Sequence, residues 1–196
     1  MGSLSIVLDI QKLNTETKLN SSENKLKALL GVFNGLFLKS EKTLLQLSPD
    51  EPLYLPAKNA AQMNKILFSH GFFSSALHEV SHWLVAGKTR RQLEDYGYWY
   101  KPDGRTFLEQ QEFESVEVLP QAIEWTLSVA CCHPFHFSAD NLNAGFQISD
   151  SFKQKVSVQA QLLIEQGYSN RMQSLIDALC QEYTTVLPCA EDFALK

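Results

Sequence analysis

The chain has no surplus of positive charge. Its 17 lysines and arginines stand against 22 aspartates and glutamates, for a formal net charge of −5 over 196 residues. A dedicated nucleic-acid binder neutralises phosphates with a basic surface, so that class is set aside. No apolar run approaches the ~18 residues that a bilayer-spanning helix needs, and no membrane partner is expected. The opening stretch, Met1 to Asp9, lacks a basic lead and meets an acid early, unlike a secretory signal. Cysteine is scarce as well. Cys131, Cys132, Cys180 and Cys189 form no C-x-x-C pair, which leaves neither a zinc ribbon nor a dithiol redox motif. They read as free thiols of a cytoplasmic protein, packed as small hydrophobes. Internal repeats and a linker between folded units are missing too.

What remains is the composition of an ordinary globular protein, 44% apolar and 20% charged. One domain over residues 23–196 is expected, behind a loose polar extension over residues 1–22. The domain is organised around Ala76-Leu77-His78-Glu79-Val80-Ser81-His82-Trp83. On a helix, residues i and i+4 lie on one face, so His78 and His82 present two imidazoles to one point. Glu79 stands about a quarter turn away. This is the H-E-x-x-H arrangement for a first-row transition metal. Phe73, Leu77, Val80 and Leu84 form an apolar stripe away from the histidines, widened by Phe72, Ala76 and Trp83. A helix apolar nearly all round is a buried one. Two imidazoles and a carboxylate buried there need partners, and a metal supplies them.

A third ligand must come from elsewhere. The H-E-x-x-H-x-x-G-x-x-H option fails, because Val85 stands where glycine is required and Lys88 where the last histidine would be. A later carboxylate is the other option. Glu117 is the first choice, flanked by the apolar Val116, Val118 and Leu119, with Glu114 second and Glu124 third. On Zn²⁺ such a site is hydrolytic, with Glu79 as general base to a bound water. On Fe²⁺ the same three ligands form the facial triad of non-heme oxygenases. The residues leave the two chemistries open.

Around the motif, helical spacing over Leu26, Leu29, Leu30, Phe33 and Phe37 predicts a helix from Ser22. Strands are predicted at Thr43–Leu47, at Leu53–Leu55 between Pro52 and Pro56, and at Lys65–Phe68, the last turning through His70 and Gly71 into the metal helix. His70 at that turn is a candidate to face a substrate. Gly87 is read as the stop of the metal helix and Pro120 as the first residue of the next. Two helices, Phe152–Gln166 and Arg171–Tyr183, fill the last third. The fold expected is α+β: a buried H-E-x-x-H helix on a small sheet, zincin-like, with a helical C-terminal third. Lys88, Arg90 and Arg91 are either a solvated face near a helix end or a docking patch for an acidic partner. Tyr96-Gly97-Tyr98-Trp99-Tyr100 puts four rings in five residues, able to wall a pocket while Tyr98 and Tyr100 offer hydroxyls.

Taken together, these segments resemble the elongation factor P hydroxylase family. The residues that carry the resemblance are Glu51-Pro52-Leu53-Tyr54-Leu55-Pro56-Ala57, Phe68-Ser69-His70-Gly71-Phe72 and the H-E-x-x-H segment. With them go Ala86-Gly87-Lys88, Arg90-Arg91, the Tyr96–Tyr100 run with Pro102-Asp103-Gly104-Arg105, Phe113-Glu114-Ser115-Val116-Glu117-Val118 with Pro120-Gln121-Ala122, and Asp140-Asn141-Leu142. The resemblance implies a monooxygenase that hydroxylates the modified lysine of translation elongation factor P in the cytoplasm, using ferrous iron and molecular oxygen. It implies a metal held by His78, His82 and one carboxylate, with zinc able to replace iron in purified protein. It makes docking of an acidic protein the role of Lys88, Arg90 and Arg91, and makes the aromatic run an entry for a long lysine side chain. Glu79 then steadies a ligand or receives the substrate ammonium. The alternative from another enzyme class is a small zinc metallopeptidase of the His-His-Glu type, which shares every ligand. A non-enzymatic fold with a structural metal would need a fourth ligand, and only His70 is at hand.

Overall fold

The computed structural model describes residues 22–69, 71–95, 105–138 and 148–195. The first helix, α1, covers residues 22–40. Three strands follow: β1 (Thr43–Ser48), β2 (Leu53–Leu55) and β3 (Asn64–Ser69). Then come α2 (Phe73–Val85), α3 (Phe107–Ala130), α4 (Asp150–Gln166) and α5 (Asn170–Tyr183), with short 3₁₀ turns at Arg90–Gln92 and Ala190–Phe193. The class is α+β, and the described residues are mostly helical.

The sheet has the order β1-β3-β2, with β1 parallel and β2 antiparallel to β3. Proline-flanked β2 therefore lies at an outer position, where a missing N–H costs no ladder bond. One more pairing extends it: Tyr54 and Asp95 exchange both backbone hydrogen bonds, at 2.8 and 3.1 Å. The segment leaving α2 is thereby tied back onto the sheet. On the opposite side the Asn34 amide of α1 does the same to β1, accepting from Leu45 N at 2.8 Å and donating to Leu45 O at 3.1 Å. Central β3 passes to α2 through Gly71, whose φ of +70° is a left-handed conformation that a side chain would strain.

Helix α2 is the hub of the main core. Its buried residues are Phe73, Ala76, Leu77, Val80, Ser81, Trp83 and Leu84. Leu29, Phe33 and Phe37 of α1, Ile66 and Phe68 of β3, Ile123 and Leu127 of α3, and Met172, Leu175, Ile176 and Leu179 of α5 pack into the same cluster. Phe33 and Phe37 meet the Trp83 ring at centroid distances of 5.2 and 4.9 Å. Each fully buried aliphatic or aromatic side chain of this kind stabilises the fold by roughly 1.5–3 kcal/mol. A second cluster joins Ala122 of α3 to Phe152, Val156 and Ala160 of α4 and to Phe193. Helix α3 is therefore covered on two sides, by α2 and by α4.

Three expectations are corrected. Pro120 lies inside α3, which opens instead at a capping box made by Thr106 and Glu109. Proline removes one rung of the helical ladder there, and burial on both flanks holds the helix through it. Helix α2 ends at Val85 with Ala86 in extended geometry, two residues before Gly87, which has no positive φ. Phe72, placed in the apolar stripe, precedes the helix and is 64% exposed. The readings made for residues 1–21, for His70, for the Tyr96–Gly104 run and for Asp140-Asn141-Leu142 lie outside the described residues.

Candidate metal centre

Helices α2 and α3 build the site between them. Spacing of four on α2 sets the histidine rings one turn apart, with centroids at 4.6 Å and the two Nε2 atoms at 3.1 Å. From α3, Glu117 Oε1 comes to 3.4 Å from His82 Nε2. One donor atom from each of His78, His82 and Glu117 lies within 4.8 Å of the others. Separations of 3.1 and 3.4 Å suit donors that share one ion at bonds of roughly 2.0–2.2 Å. Two imidazoles and a carboxylate are a donor set for zinc or ferrous iron. The residues fit a metal.

Behind the donors, Glu124 Oε2 accepts a hydrogen bond from His78 Nδ1 at 2.8 Å. That contact holds the ring so that Nε2 faces His82 and Glu117, the outer carboxylate arrangement usual for metal-ligating histidines. Pro120 lies between the two acids. Because it sits within a continuous helix, Glu117 and Glu124 fall two turns apart on one face, both buried. Nearby, Ser81 Oγ donates to the His78 carbonyl at 2.7 Å.

The two histidines differ in their electrostatics. Burial works against a charged His78, but the hydrogen bond and charge of Glu124, with Glu79 and Glu117 adding to it, push its imidazole up to about 10. Burial and the charge of His78 hold His82 well below the usual histidine range. One proton therefore belongs to His78, donated toward the neutral His82. A metal ion would occupy the place of that proton.

Of the three acids weighed in sequence, Glu117 meets His82 and Glu124 meets His78. Glu114 accepts from Ser149 Oγ at 3.2 Å, at the start of α4. Glu79 and His82 share the wall of a cavity with Tyr54, Trp83, Arg91 and Asp95. Arg90 pairs with Asp95 at 2.8 Å and Arg91 with Glu41 at 2.7 Å, while Lys88 is exposed. Sequence reasoning missed the roles of Glu124, Asp95 and Gln121, whose amide clasps Ser138 N and O at 3.2 and 2.7 Å. The only signal for Glu124 was its spacing of seven from Glu117, which becomes informative once the helix is known to run through Pro120.

Comparison with known proteins agrees with this geometry. Residues 32–193 match the elongation factor P hydroxylase family. The chain is 48% identical over 163 residues to the elongation factor P lysine hydroxylase of Haemophilus influenzae, covering 83% of this chain and 92% of that protein. Among the described residues no helix is long and apolar enough to cross a membrane. With H-E-x-x-H, Pro-Gln-Ala and the surrounding segments all inside the matched span, the chain belongs to the elongation factor P hydroxylase family.

Proposed function

We propose that the protein is a metal-dependent monooxygenase that hydroxylates the modified, lysylated lysine of translation elongation factor P. The observation that carries this reading is the meeting of His78, His82 and Glu117 in a chain of this family. His78, His82 and Glu117 would hold ferrous iron, which would supply the oxidation with molecular oxygen; zinc would fit the same donors.

The other steps belong to the chain's own side chains. Glu124 keeps His78 in the tautomer that leaves Nε2 for the metal. Glu79 lies in the cavity wall beside His82, where it can receive a substrate ammonium or steady a ligand. His70, Tyr98 and Tyr100 are proposed to frame the entry of the lysine side chain, whose aliphatic stem packs on rings while its charged end stays near polar groups. Lys88, Arg90 and Arg91 are proposed to dock the protein substrate, Lys88 through free encounter and the arginines as a rim already braced by Asp95 and Glu41. The work is placed in the cytoplasm, and the domain in residues 23–196.

The test is the intact mass of elongation factor P co-expressed with and without this protein. A gain of one oxygen is expected. An unchanged mass overturns the reading, and cleavage of the factor replaces it with the zinc peptidase.

A further inference from the structure

Four of the five described helices leave their last turn through a residue with positive φ. These are Lys42 after α1 (+49°), Cys132 after α3 (+47°), Gly167 after α4 (+82°) and Thr184 after α5 (+54°). Such a residue turns the chain back, so that the N–H groups that follow can reach the last carbonyls. Helix α2, which carries both histidines, ends differently. Ala86 is extended, at φ −62° and ψ 120°, and Gly87 has no positive φ. Ala86 N still donates to the His82 carbonyl at 3.0 Å.

The carbonyls beyond are met from another helix. Arg171, the second residue of α5, donates through Nη2 to the carbonyls of Leu84 and Ala86, at 3.3 Å each. Its guanidinium lies 4.5 Å from the centre of the Trp83 ring, on the residue next to His82. Among the described residues no carboxylate pairs with Arg171, so its half-buried charge is given to a helix end and a ring. A cation there opposes the partial negative charge of a helix C-terminus. The grip also lets the chain leave α2 extended, toward the pairing of Asp95 with Tyr54. On the way, the Arg91 carbonyl accepts from the Tyr54 hydroxyl at 2.9 Å. Of the two histidines, His82 is the one in the last turn of α2, the turn that Arg171 holds.

We propose that Arg171 is a positioning residue of the metal centre: it closes α2 from α5, and through that last turn it sets where the His82 imidazole lies. The inference deepens the hydroxylase reading and rests on its metal site. An arginine that only packed would serve stability alone. One that places His82 serves metal affinity beyond its effect on stability.

The experiment measures the zinc affinity of the full-length protein by competition with a chromophoric chelator, beside the thermal midpoint of the metal-free samples. Arg171→Met keeps the aliphatic stem and removes both carbonyl bonds. It should lower zinc affinity about tenfold, the low end of what partners behind a ligand contribute. Leu175→Ala, one turn further along α5 in the buried core, should lower the midpoint at least as much and leave zinc affinity at the parental value. Arg171→Lys keeps the charge but not the planar stack on Trp83, so its affinity should fall between those of the parent and Arg171→Met. Parental affinity in Arg171→Met overturns the proposal. So does an equal loss in Leu175→Ala, which makes the effect a general loosening. Should Arg171→Met not fold, Arg171→Lys decides, and parental affinity there overturns the proposal. A parent that binds no zinc rejects the metal centre and the proposal with it. The expected losses without oxygen gain in elongation factor P keep the role of Arg171 and reject the hydroxylase reading.

Discussion

Helices α2 and α3 both build the candidate metal centre, and they do so by opposite designs. Helix α2 divides cleanly, with His78, Glu79 and His82 on one side and Leu77, Val80 and Leu84 in the core on the other. Helix α3 has no such division: Glu117, Gln121, Glu124, Thr126 and Ser128 are buried alongside Ala122, Ile123 and Leu127. It can bury so many polar groups because it is packed on two sides and nearly every group has a partner there. The pairing runs in reverse order, with Glu117 on His82 and Glu124 on His78, so the helices pass each other antiparallel. A motif with one-turn spacing identifies two ligands on a single helix. What completes the site depends on how a second helix is laid across the first.

The largest effects should come from breaking the shared face. His82→Ala and Glu117→Gln each remove one of three donors, and metal affinity should fall by more than about a hundredfold, beyond the loss typical of outer partners. Elemental analysis after dialysis reads it, and full occupancy in either variant would dismantle the site. Glu124→Gln should lose about 10–100-fold in affinity, because the amide still accepts from Nδ1–H but brings no charge. Glu114→Gln should bind as the parent does, and a loss there would move the ligand back along α3 by one turn.

On the other side of α2, Leu77→Ala should cost about 2–5 kcal/mol of stability, seen as a lower denaturant midpoint. Its metal stoichiometry should stay unchanged, and a coupled loss of metal would show that the two faces are not independent. Protonation offers a finer measure. Because the folded His78 is raised from 6.5 to about 10, it stabilises the metal-free fold below pH 6.5 and loses that contribution as pH rises toward 10. Metal uptake near neutral pH should accordingly release about one proton, measurable in weakly buffered dye solution. The smallest effect lies beyond both helices' shared face, at His133, which meets Ser74 Oγ at 2.9 Å and the Phe73 ring at 4.6 Å. Burial lowers it from 6.5 to about 4, so its contribution is present above pH 6.5 and is lost as pH falls through 4. His133→Asn should flatten the acid limb of the thermal stability profile, and an unaltered limb would show that other groups govern it.

Local chemistry was readable wherever a short pattern decides the outcome. Helical spacing placed Met172, Leu175, Ile176, Leu179 and Cys180 on the buried face of α5, where they are found. Proline on both flanks marked β2 as an outer strand. The same reasoning failed at Pro120, because proline's preference for a first turn is weaker than the packing that carries α3 through it. It failed for the pairing of Tyr54 with Asp95 and for Arg171 on Trp83, contacts between residues distant in sequence with no local signature. Glu117 could be favoured from its apolar neighbours, but its partner Glu124 could be ranked only third, since its role depends on the helix crossing.

The clasps on the sheet have a consequence for how this protein handles another chain. Open strands are templates for a passing extended segment, and three-stranded sheets are easily lengthened by one. Here the middle of β1 spends its outward N–H and C=O on the Asn34 amide, and the middle of β2 spends both of its own on Asp95. A polypeptide arriving for modification finds no vacant ladder at either clasp. A strand added at the middle of β1 or β2 would first have to displace the Asn34 amide or the Asp95 pairing.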